Sequence, residues 1–87
     1  MQLEEAQEIR DAALRGERPA ADQYLAMLGY QPMLVAEQEG QWIAVTSKQI
    51  TLDPFDHQPI APRMARIESA RQTPQDAVAA VLKSILL

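Results

Sequence analysis

The residues of this chain whose types and spacing could act together chemically are Asp53, Asp56 and His57, in the run Asp53-Pro-Phe-Asp-His57. Two carboxylates and the sole histidine within five residues could hold a divalent metal or share a proton. A stable metal site, however, needs a third or fourth oriented ligand. Aspartates flanked by proline are also ordinary turn formers, because their side chains bond to nearby backbone. Ser47, Ser69 and Ser84 lack the glycine context of a nucleophile elbow. With no cysteine in the chain, disulfides, thiolate metal sites and a cysteine nucleophile are excluded. No catalytic residue, metal site or cofactor is therefore assigned, and the expectation is a protein that is not an enzyme.

Charge offers a second kind of chemistry. The net charge of −4 is unevenly placed. Residues 1–40 hold eight acids against three arginines, and residues 41–87 hold four acids against five bases. Such a front half argues against nucleic acid, whose phosphates need a basic footprint, and suits docking on a basic protein surface. Arg63, Arg66 and Arg71 with Lys48 form a small basic group, but strand alternation would put Arg63 and Arg66 on opposite faces. The residues expected to touch a partner are Glu4, Glu5, Glu8 and Asp11 at the front, and Asp53, Asp56 and His57 in the loop. The partner expected is a protein. Nucleic acid is the alternative, and a homodimer is compatible with either.

Eighty-seven residues make one domain, 1–87, with a small core. Four aromatics (Tyr24, Tyr30, Trp42 and Phe55) leave that core to aliphatic residues, methionines and many alanines. The first ten residues are acidic and amphipathic, unlike a signal peptide, and no apolar run approaches the ~20 residues of a membrane span. A cytoplasmic protein making no use of a membrane is the expectation.

The elements that must position these residues follow from periodicity. Leu3, Ala6, Ile9, Ala13 and Leu14 predict a helix over 3–14. Gly16-Glu17-Arg18 interrupts it, and a second helix starts at Pro19 and stops before Gly29, with Ala21, Tyr24, Leu25 and Leu28 as its buried stripe. A helical hairpin is preferred over one bent helix. Residues 30–40 and 41–47 read as strands joined by a turn at Gln38-Glu39-Gly40. Residues 49–52 form a third strand or the tail of the second. Three prolines within 53–62 predict a loop. A strand over 63–70 then enters a helix with Thr73 as N-cap, Pro74 in the first turn and Asp76 three residues after the cap. Tyr24, Tyr30 and Trp42 are expected as core or half-buried anchors, or as exposed interface residues, and Met27, Met33 and Met64 as fillers of core gaps. The fold class is α+β: an antiparallel three- or four-stranded sheet with an N-terminal helix or helical hairpin and a C-terminal helix packed on one face.

This α–β–β–β–α order resembles that of double-stranded-RNA-binding domains, over nearly the whole chain. That family's lysine-rich start to the last helix is replaced here by Thr73-Pro-Gln-Asp-Ala-Val, so no RNA-contacting residue is carried over. The ending Ile67-Glu-Ser-Ala-Arg-Gln-Thr-Pro-Gln-Asp-Ala-Val is also similar to that of small phage and prophage proteins whose short sheets are closed by a Thr-Pro-x-Asp/Glu-Ala helix. That resemblance implies a binder, modulator or inhibitor of a host protein.

Overall fold

A computed structural model describes residues 3–53 and 55–87. The order is α1 (Leu3–Leu14), α2 (Arg18–Met27), β1 (Leu34–Gln38), β2 (Gln41–Leu52), β3 (Pro59–Arg71) and α3 (Pro74–Leu86). The strands form one antiparallel sheet in the order β1-β2-β3. This is the α+β class expected, with three strands; among the described residues a fourth is not formed. Residues 49–52 are the tail of β2, which runs unbroken from Gln41.

The helical hairpin forms because Gly16 reverses the chain with a φ of +86°, a region that glycine enters without steric penalty. A Cβ there would lie 2.2 Å from the Gln75 carbonyl oxygen, so the α1–α2 turn rests directly on the first turn of α3. Gln75 Nε2 fastens that contact by donating to the Arg15 carbonyl at 2.8 Å. The β1–β2 turn uses two residues, Glu39 (φ 54°) and Gly40 (φ 80°), opposite the pair Gln38 and Gln41. Two positive φ angles match the twist that tight hairpins require.

At α3, the Thr73 hydroxyl accepts from the Asp76 N–H at 3.1 Å, as the cap reading predicts. Asp76, one methylene shorter than the glutamate of a capping box, makes no return bond to Thr73. Ala77, Val78, Val81 and Leu82 of α3 are buried. They meet Ala13 of α1, Ala21 and Leu25 of α2, Met33 and Ala44 in a single cluster. Tyr24, Tyr30 and Trp42 pack half-buried around it. Each fully buried leucine, valine or methionine stabilises by roughly 1.5–3 kcal/mol, whereas the alanines contribute chiefly by letting backbones approach. α3 is the hub: it packs on all three strands and on both other helices, while α1 lies against α2 and α3 and no strand.

Three expectations need correction. β1 starts at Leu34 rather than Tyr30, because the Met33 N–H and carbonyl bond to Asp22 and Arg18 of α2 instead of to β2, while its side chain fills the core at 1% exposure. β3 starts at Pro59, inside the predicted loop; proline is tolerated at the first position of a strand and on a sheet edge, and β3 is an edge. The pairing shifts between Ile50 and Leu52 absorb the irregularity that follows from Pro62. Pro54 lies outside the described residues. Finally, Met27 and Met64 are exposed, so of the three methionines only Met33 fills the core.

Candidate functional site

Asp53, Asp56 and His57 do come together, in the turn that ends the β2–β3 hairpin. The Asp53 carboxylate accepts from the N–H groups of Phe55 (2.8 Å) and Asp56 (3.3 Å), and that of Asp56 accepts from the Gln58 N–H (2.9 Å). The backbone closes around them, with Asp53 N–H donating to the Gln58 carbonyl at 2.8 Å and His57 N–H to the Asp53 carbonyl at 3.0 Å. His57 takes a φ of 58° to complete the reversal. The two carboxylates are thus occupied as turn formers, the arrangement proline-flanked aspartates favour. Among the described residues no three histidine, aspartate or glutamate side chains converge to hold a metal ion. The turn presents Asp56, His57 and Gln58 to solvent together with Phe55, which is 92% exposed.

The other expected contact residues lie elsewhere. Glu4, Glu8 and Asp11 follow one another at helical spacing along α1, with Glu5 beside them, and all four are exposed. Among the described residues none of them takes part in an ion pair. Arg15, one turn beyond Asp11, binds Glu17 instead at 2.7 Å. The acidic stripe is therefore an unneutralised surface. It belongs to the helical layer, whereas the Asp53–His57 turn ends the sheet, so the two groups do not form one site.

The basic group is split: Lys48 and Arg63 are neighbours on one face of the sheet, Arg71 lies at the other end of that face, and Arg66 is on the reverse face. Arg63 pairs with Ile50 and Arg66 with Ser47, positions of opposite parity on β2, so the two arginines point to opposite faces. Arg66 is engaged by Glu68 at 2.6 Å, and Lys48 lies over the Tyr30 ring, 5.4 Å from its centroid. Arg71 lines an open groove of about 520 Å³ with Asp76, Ala80 and Lys83 of α3.

One surface escaped the sequence reading. The ladder places Val35, Trp42, Ala44, Thr46 and Ile67 toward the helices. It places Leu34, Ala36, Ile43, Val45 and Ala70 on the reverse face with Gln38, Gln41, Ser47, Gln49, Arg66 and Glu68, and among the described residues no helix packs there. The signal was present in Trp42-Ile43-Ala44-Val45, which is apolar without alternation. An antiparallel sheet with one wet face alternates; a run apolar on both sides belongs to a sheet covered on both. No helix of the described residues is long and apolar enough to cross a membrane. Comparison with protein-family models, with curated proteins and with solved structures returns no match.

Proposed function

We propose that the chain is a small acidic protein-interaction domain that acts by occupying a surface of a larger partner. The observation that carries this reading is the exposed acidic stripe of α1, Glu4, Glu5, Glu8 and Asp11, free of ion pairs among the described residues. Such a stripe attracts a basic surface over about a Debye length, accelerates encounter and fixes orientation. The Asp53–His57 turn, with Phe55 at its tip, is a second contact in this proposal, since an exposed aromatic is the residue type that anchors interfaces. A protein partner is favoured over nucleic acid because Arg66 and Arg71 lie apart from the neighbouring Lys48 and Arg63, which alone make a small basic footprint. The role of modulator or inhibitor of a host protein in a phage or prophage setting rests on the resemblance of the strand-to-helix ending alone.

Capture from host lysate on immobilised chain is the test. A defined protein should be retained at low salt, released as salt rises, and lost when Glu4, Glu5 and Glu8 are all replaced by alanine. Retention indifferent to salt and to the triple substitution would refute the acidic-face mechanism. Retarded migration of duplex RNA or DNA at micromolar chain and physiological salt would instead favour a nucleic-acid partner.

A further inference from the structure

On the reverse face of the sheet Leu34, Ala36, Ile43, Val45 and Ala70 form an apolar patch, flanked by Gln38, Gln41, Ser47, Arg66 and Glu68. Leu34, 69% exposed, stands at the rim of a hollow of about 210 Å³ that it lines together with Pro32, Val45, Ser47 and Arg66. A protruding apolar side chain next to a hollow is self-complementary, the property an isologous contact between two copies needs. The charged side chains that the ladder places on this face, Arg66 and Glu68, pair with each other, so the face carries no net charge. The acidic stripe of α1 lies in the helical layer on the other side of the sheet. Two chains of net charge −4 can therefore meet here without opposing their acidic helices.

The dimensions agree. A folded monomer of this 9.7 kDa mass exposes about 5,100 Å² by surface scaling, whereas this chain exposes 5950 Å². The excess, about 800 Å², is shared between the projecting end of the β2–β3 hairpin and the uncovered sheet face, and is of the size that one partner buries in a standard-size interface. The radius of gyration, 14.0 Å, likewise exceeds the roughly 12 Å expected of a compact chain of this length. We infer that the uncovered sheet face is a self-association surface, through which two copies pack face to face with Leu34 of each in the hollow of the other.

Sedimentation of the purified chain at tens of micromolar tests this directly, with a dimer of about twice the 9.7 kDa monomer expected. Leu34→Glu, at a position the monomer already exposes, should keep the circular dichroism of the parent and weaken the dimer by at least about tenfold. Phe55→Ser, at the hairpin tip away from this face, should leave the dimer intact. A monomer at every concentration would overturn the inference. So would a dimer that tolerates Leu34→Glu or dissolves with Phe55→Ser, because association would then use another surface.

Discussion

Asp22 works inside the fold rather than on the acidic surface. Its carboxylate accepts from the Met33 N–H at 2.8 Å, and Arg18, one turn earlier on α2, donates to the Met33 carbonyl. Two side chains of α2 thus take the place of strand partners for the Met33 backbone. Ladder contact resumes one step earlier, where Gln31 N–H donates to the Ser47 carbonyl (2.8 Å) and the buried Thr46 hydroxyl donates to the Gln31 carbonyl (2.7 Å). Asp22→Ala leaves the Met33 N–H without its acceptor and should lower stability by about 1–3 kcal/mol in urea denaturation. Asp22→Asn keeps an acceptor oxygen and should lose clearly less; equal losses would show that this hydrogen bond is not the cause. In the sequence Asp22 was one more surface acid, since nothing local links residue 22 to residue 33. The Thr73 cap, by contrast, joins residues three apart and was legible at once. So was the turn chemistry of Asp53 and Asp56, whose partners lie within three residues.

The β2–β3 hairpin is longer than the layer that supports it. Thirteen residues of β3 span roughly 43 Å if fully extended, while the thirteen of α3 rise only about 20 Å. Since α3 begins just after Arg71, the end of the hairpin near Asp53 and Pro59 projects beyond it as a two-stranded arm. A hollow of about 430 Å³, lined by Tyr30, Lys48, Ile50, Leu52 and Ala65, marks where the arm leaves the helices. Two strands without a packed face are marginal in water. Amide hydrogen exchange should therefore be faster at Gln49–Leu52 than at Trp42–Ser47 of the same strand. Uniform protection along β2 would show that something supports the arm. Periodicity located all three helices and the β1–β2 turn, because those rest on local spacing. It misplaced the start of β3, because proline is a strand breaker only where a neighbouring strand needs its N–H, and edge position is a property of the assembled sheet.

The molecule is a slab of 41 × 37 × 19 Å with helices on one side only. Its buried cluster of nine residues includes four alanines, Ala13, Ala21, Ala44 and Ala77, a modest core for a chain of 87 residues. If the bare face is closed by a second copy, mass action adds stability that grows with concentration. The melting temperature should then rise as the chain is concentrated, and Leu34→Glu should remove that rise; a concentration-independent midpoint for the parent chain would contradict it. The position of α3 in the chain has one more consequence. It is the element against which all the others are packed, yet it follows all of them in sequence. During synthesis, both amino-terminal helices and the three strands emerge with their apolar sides uncovered and stay so until residues 74–86 are made. Docking of α3 is the step that joins the amino-terminal helices to the sheet, since neither α1 nor α2 packs on a strand among the described residues.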